Sequence, residues 1–129
     1  MVGREVRQRL AAILAADVVG YTRLMGDDER ATINAINACR DIFRTAIEEN
    51  AGRVVDMAGD SVLAVFDTAI GAATAALAAQ KGVADFNAEL PESRRMRYRI
   101  GLNSGDIHEQ DDGTVYGDGV NVAARVEGL

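Results

Sequence analysis

The sequence is poor in the residues on which specialised chemistry most often rests. One cysteine excludes a disulfide scaffold, and with a single histidine it also excludes a zinc site of the multi-Cys/His kind. There is no tryptophan and there are only three tyrosines and three phenylalanines, too little ring surface for a single-strand stacking platform. Basic residues are outnumbered, 14 Lys and Arg against 20 Asp and Glu, for a formal charge of −6. Such a chain is a poor generic binder of nucleic acid or of an anionic membrane, so neither partner is expected. A polyphosphate is still within reach if a metal ion supplies the positive charge. No apolar run approaches the ~20 residues of a membrane span. The run from Leu10 to Ala16 stops at Asp17, and the basic start Met1 to Arg4 leads into polar residues, so no signal peptide is expected. The lone Cys39 fits a reducing compartment, which points to a cytoplasmic setting.

What is present reads as one domain. The 129 residues, 48% hydrophobic and 26% charged, suffice for a packed core and argue against disorder. Residues 1–9 read as a lead-in and 10–129 as the domain. Leu10 to Val19 is an apolar run suited to a strand covered by helices. Gly20-Tyr21-Thr22 then turns toward a long helix over roughly 28–50, capped by Asp27 or Asp28, with Ile33, Ile36, Ile42, Phe43 and Ile47 approximating one face. Gly52 stops it. Arg53–Ala58 and Ser61–Phe66 read as strands joined by Gly59-Asp60, a two-residue hairpin. An Ala-rich helix over roughly 68–89 follows, capped by Asp67 or Thr68, able to lie close against a sheet and ended before Pro91. Met96–Asn103 reads as a strand, Ser104-Gly105 as a turn, Asp106–Gln110 as another strand and Asp111–Gly113 as a loop. Residues 117–129 read as a final helix. The order β α β β α β β α suggests an α+β fold with a split-βαβ antiparallel sheet. Its first strand is expected in the middle, beside the strand to which the long helix leads back.

Asp17 and Asp60 are the chemical anomalies. A carboxylate ending an apolar strand is costly unless paired or metal-bound. Asp60, at a hairpin tip, is expected at the same end of the sheet. Two carboxylates are a common protein share of a Mg²⁺ site, completed by water and substrate phosphates. Simple turn chemistry at Asp60 and a cap at Asp17 explain the same residues without a metal. Val19, Gly20, Tyr21 and Thr22 form a helix entrance whose N–H groups suit phosphate. Asn121 and Arg125 lie four apart, hence on one helix face, and suit ribose and phosphate; a solvated face is the plainer account. His108 reads as an exposed strand-end residue and Cys39 as a packed one.

Four motifs in order carry a resemblance. They are Ala15-Ala16-Asp17-Val18-Val19-Gly20-Tyr21-Thr22, Ala58-Gly59-Asp60-Ser61, Arg99-Ile100-Gly101-Leu102-Asn103-Ser104-Gly105, and Val115 through Arg125. Together they resemble the catalytic domain of class III nucleotidyl cyclases, over about Leu10 to Leu129. The resemblance implies the cyclase fold: a ferredoxin-like split-βαβ antiparallel sheet with helices on one face. It implies conversion of a purine nucleoside triphosphate, ATP by family preference, to the 3′,5′-cyclic monophosphate for intracellular signalling. It implies Asp17, Asp60 and the backbone of Val18 as holders of two Mg²⁺ or Mn²⁺ ions. Asn121 aligns with the residue that orients the ribose and Arg125 with the arginine that stabilises the transition state. It implies a head-to-tail homodimer in the intact domain, with Asn121 and Arg125 facing the partner's aspartates. The family's C-terminal strands would lie beyond Leu129. Two base-binding positions depart from pattern or carry a variant. Asp56 stands where adenylate cyclases commonly carry Lys and guanylate cyclases Glu, and Thr114 where adenylate cyclases carry Asp or Thr. Asp106 stands where several members have a phosphate-contacting Arg. Asp56 and Asp106 keep two alternatives open: a GTP-preferring cyclase, and a degenerate module that dimerises or senses nucleotide without turnover.

Overall fold

The structure, a computed structural model, describes residues 5–117 and Val120. The chain begins with a long strand, β1 (Val6–Val18), followed by a short helix, α1 (Tyr21–Asp27), and a long one, α2 (Glu29–Glu48). A hairpin of β2 (Gly52–Asp56) and β3 (Val62–Phe66) leads into α3 (Ala69–Asn87), a 3₁₀ turn at Glu92–Arg94, then β4 (Tyr98–Gln110) and β5 (Val115–Tyr116). The five strands form one antiparallel sheet in the order β2-β3-β1-β4-β5. The first strand is central, as its apolar run implies, but its neighbours are β3 and β4. The strand to which α2 leads back, β2, sits at the edge instead. The β2–β3 hairpin folds the chain back so that β3, the more apolar of the two, takes the inner place.

Helix boundaries follow local chemistry. Asp28 caps α2, its side chain accepting from Ala31 N at 3.1 Å, and Thr68 caps α3 by accepting from Gly71 N at 3.0 Å. The buried stripe of α2 runs through Thr32, Ile36, Cys39, Phe43 and Ile47, which leaves Ile33 one position off it and 45% exposed. On α3 the buried stripe is Ala72, Ala75, Ala79 and Val83. Small side chains let this helix approach the sheet closely, as its composition suggests.

Four strand details differ from what the sequence implies. Val6–Arg9 are not a lead-in; they pair with Gln110–Ile107 and belong to β1. No turn forms at Ser104-Gly105. Thirteen residues of β4 pair continuously with all thirteen of β1, and Ser104 and Gly105 lie opposite Ala12 and Ala11. A local turn signal yields here to an unbroken ladder of partners. The β2–β3 connection is a loop over 57–61, not a two-residue hairpin, and β2 carries a bulge between Val54 and Asp56. The short β5, which the sequence reading did not separate, closes a hairpin on β4 through Asp111–Gly113. The final helix expected over 117–129 falls almost entirely outside the described residues.

The core lies on both faces of the sheet. On one face Ala12, Leu14, Ala16 and Val18 of β1 pack with Val62, Ala64 and Phe66 of β3 against α2 and α3. On the other, Ala11, Ile13 and Ala15 pack with Val65 and Ile107, joined by Val55, Leu63, Val115 and Val120. Helices α2 and α3 cover the first face.

Candidate active site

The C-terminal end of β1 delivers Asp17, and the loop before β3 delivers Asp60 beside it. The antiparallel register, with Ala16 opposite Val62, brings that loop level with Val18. There the Val18 N–H donates to Asp60 Oδ2 at 2.9 Å. Asp60 is therefore fixed against the peptide that joins Asp17 to Val18. Its loop is held from below by Arg40 of α2, whose guanidinium donates to Gly59 O at 2.7 Å and Met57 O at 3.3 Å. Across the strand pair, Arg99 of β4 stands opposite Asp17 and donates to its Oδ1 from Nε at 3.0 Å, with Nη2 at 2.9 Å. Asp17 is thus paired on β4, and no side-chain cap forms at α1.

Two of the expected phosphate donors are already engaged or altered. The Val19 N–H goes to Arg97 O at 2.8 Å, so it is not free for a phosphate. Gly20 takes φ 70°, a left-handed conformation that glycine adopts without penalty, and forms the uncapped start of α1. The first-turn N–H groups of Tyr21 and Thr22 therefore have no intrahelical acceptor.

Asp56 and Thr114 come together elsewhere. Both line a cavity of about 520 Å³ between β2 and the β4–β5 hairpin, along with Arg53, Leu63, Asp112 and Val115. The bulge makes this possible. Arg53 lies opposite Val65 and Asp56 opposite Leu63, two partners on the same sheet face. Without the extra residue Asp56 would point to the helix side. Thr114 is held by main-chain bonds, its N–H to Asp112 Oδ1 at 2.9 Å and its carbonyl to Gln110 N at 2.9 Å. Asn121 and Arg125 lie outside the described residues. Asp106 is exposed on β4, paired with Leu10.

The remaining candidates behave as packing predicts. Cys39 is buried, and burial pushes its thiol up to about 11, opposed by a hydrogen bond from Tyr98. Burial likewise raises the Tyr98 hydroxyl far above its usual range. His108 is exposed on β4 opposite Tyr116.

Three arginines were not legible as functional: Arg99, Arg40 and Arg53. Arg99 alternates with Arg97 in the strand pattern and looks like any outward charge there; its pairing with Asp17 depends on the register. Among the described residues no cluster of three or more His, Cys, Asp or Glu is placed to hold a metal. Asp17 and Asp60 supply two carboxylates at one end of the sheet, hard oxygen donors of the kind that leaves most of a Mg²⁺ shell to water and phosphate.

Residues 5–129 match the family described as “Adenylate and Guanylate cyclase catalytic domain”. The chain belongs to that family. It is 45% identical over 130 residues to a protein of Rhizobium meliloti (strain 1021) provisionally named adenylate cyclase 3, covering all of this chain and 22% of that one. It is 32% identical over 140 residues to an adenylate cyclase of Anabaena cylindrica, covering 94% of this chain and 27% of that one. The cyclase domain also superposes on the crystal structure of an adenylate/guanylate cyclase/hydrolase from Silicibacter pomeroyi. That match has a TM-score of 0.86 and 42% identity, over 96% of this chain and 72% of the other. The chain spans about a quarter of the length of the curated relatives it matches. Among the described residues no helix of the cyclase domain is long and apolar enough to cross a membrane.

Proposed function

We propose that the intact protein converts a purine nucleoside triphosphate to its 3′,5′-cyclic monophosphate and pyrophosphate. The observation that carries this reading is the Asp60 carboxylate fixed on the Val18 N–H, directly beside Asp17. It presents two carboxylates at one sheet end in a domain of the cyclase family. The donor set fits divalent cations: Asp60 keeps one oxygen free of the Val18 bond, and Asp17 offers its second oxygen beside the Arg99 pair. Asp17, Asp60 and the Val18 backbone would hold two Mg²⁺ or Mn²⁺ ions. Bound there, such ions lower the pKa of the ribose 3′-hydroxyl and neutralise charge on the leaving pyrophosphate.

The chain's own residues do the rest. Gly20, Tyr21 and Thr22 receive phosphate oxygens at the start of α1. The 3′-oxygen gives up its proton to solvent water and forms the new bond to the α-phosphorus, while the bond from that phosphorus to the bridging oxygen breaks and pyrophosphate leaves with that oxygen. Asn121 orients the ribose, and Arg125 stabilises charge at the α-phosphate. Both come from the second protomer of a head-to-tail homodimer, so that each site draws on two chains. The base lies in the cavity of Asp56 and Thr114. Asp56 when ionised only accepts hydrogen bonds, so it suits guanine N1–H and N2–H₂ or the adenine amino group. ATP is the substrate favoured by family membership. The protein acts in the cytoplasm.

The test is a cyclisation assay on the full-length protein, with ATP and GTP, in Mg²⁺ and in Mn²⁺. Cyclic product that disappears in Asp17→Ala supports the reading. Nucleotide binding and dimerisation without product from either triphosphate would instead establish a module that has lost turnover.

A further inference from the structure

Glu109 is a buried charged residue on β4 that no step of the reaction uses. Each of its carboxylate oxygens is committed to a different arginine. Arg9 of β1 donates from Nε to Oε1 at 3.0 Å, and Arg53 of β2 donates from Nη2 to Oε2. Arg53 also reaches Gly113 O with Nη1, at 3.3 Å. The triad spans the sheet's second face, from the edge strand to the β4–β5 hairpin. Of its three members, Arg53 lines the cavity that holds Asp56 and Thr114.

The two arginines differ in what they keep if Glu109 is removed. Arg9 retains Asp67 Oδ1 at 3.3 Å. Arg53 retains only a carbonyl, and it shares the cavity and the sheet face with Asp56. Among the described residues Asp56 has no side-chain partner of its own. A guanidinium released beside an unpartnered carboxylate will pair with it. That pair would occupy the acceptor on which reading of the base depends.

We propose that Glu109 is a specificity-determining positioning residue: by holding the Arg53 guanidinium at the cavity wall, on Glu109 and Gly113 O, it keeps the Asp56 carboxylate free to accept hydrogen bonds from the purine edge. This rests on the reading of the cavity as the base site. Glu109 does not touch the nucleotide; it acts through Arg53. The bulge in β2 makes the device necessary, because it turns Asp56 to the face on which Arg53 already stands.

The test uses the full-length protein and has two arms. In the first, Glu109→Gln keeps the side-chain shape and removes the charge. The KM for the preferred purine triphosphate should rise about tenfold, the low end of one charge-assisted hydrogen bond, with kcat changing far less. Adding Arg53→Met to Glu109→Gln should return KM toward the parent value, because the competing cation is gone while the stem's bulk remains. An unchanged KM in Glu109→Gln, or a KM that Arg53→Met fails to restore, would overturn the proposal, since a merely structural loss is not repaired by a second truncation. The second arm needs no turnover. The Arg53 guanidinium N–H resonances, followed by NMR, should be indifferent to Asp56→Asn in the parent. In the Glu109→Gln background they should respond to it. Indifference in both backgrounds would show that Arg53 never reaches Asp56 and would sink the proposal even if the protein cyclises nucleotide. If the parent makes no cyclic product from either triphosphate, the functional reading fails, and this arm still decides whether Glu109 holds Arg53 away from Asp56.

Discussion

The Val18 main-chain N–H and the Asp60 carboxylate lie 2.9 Å apart, a bond between the central strand and the loop that precedes its neighbour. It gives Asp60 two separable properties, an acceptor for the backbone and a negative charge. Asp60→Asn keeps the first and loses the second. It should melt within about 1 kcal/mol of the parent yet lose at least a hundredfold in turnover, whereas Asp60→Ala should also lose about 1–3 kcal/mol through the orphaned N–H. Thermal melts and initial rates on the same preparations check both. Equal destabilisation by Asn and Ala would show that the bond does not hold the loop.

Arg99 sits against Asp17, and a cation arriving at Asp17 must share it with that guanidinium. Arg99→Met should therefore tighten Mn²⁺ binding to the nucleotide-free protein by about two- to fivefold, the scale of one partly exposed ion pair. Isothermal titration measures this directly. Weaker Mn²⁺ binding in the variant would mean that Arg99 orients Asp17 for the ion and does not compete with it.

A site shared between two chains predicts complementation. Asp17→Ala and Arg125→Ala chains, each inactive alone, should recover activity when mixed, in proportion to the one intact site of each heterodimer. Heterodimers shown to form by tagged co-purification, yet without product, would place the whole site within one chain.

The Glu109 triad predicts an acid-dependent stability. The hydrogen bond from Arg9, working against burial and assisted by Arg53, holds the Glu109 carboxyl below its ordinary value of 4.5. A folded-state value below the unfolded one stabilises the protein above the unfolded value and ceases to do so as pH falls through the folded one. The gap in Tm between the parent and Glu109→Gln should accordingly be widest near neutrality and shrink below pH 4.5. A gap that stays constant into acid would mean the carboxylate charge contributes nothing to the fold.

Gly52 supplies a packing test. A Cβ built there would lie 2.4 Å from the Phe66 ring and 2.9 Å from Ile47 Cγ2. Both neighbours are fully buried and cannot withdraw. Gly52→Ala should cost about 1–3 kcal/mol in urea unfolding through overpacking alone.

Much of this architecture is legible in the residues themselves. The Leu10–Ala16 run announces a central strand, Asp28 and Thr68 announce helix starts, and the alanines of α3 announce close packing. What escapes is decided by partners distant in sequence. Ser104-Gly105 looks like a turn until thirteen residues of β1 are placed beside it. Val6–Arg9 look like a tail for the same reason. The bulge at Val55 has no local mark, because neither Val54 nor Asp56 is a residue that bulges require. Asp17 and Asp60 stand out as carboxylates in the wrong surroundings, so they can be picked by cost alone. The arginines that hold them, Arg99 and Arg40, look like ordinary solvated charges until the register is known.

The uninterrupted pairing of β1 with β4 also makes a girder. Val6 is eleven residues from Asp17, about 36 Å along an extended strand, and every residue between them has a partner on β4. A ladder of that length resists sliding, because a one-residue slip would turn Leu14 and Val18 away from the face packed against α2 and α3. The start of the strand is thereby joined to Asp17 by a ladder without a break, and to Asp60 through the Val18 N–H.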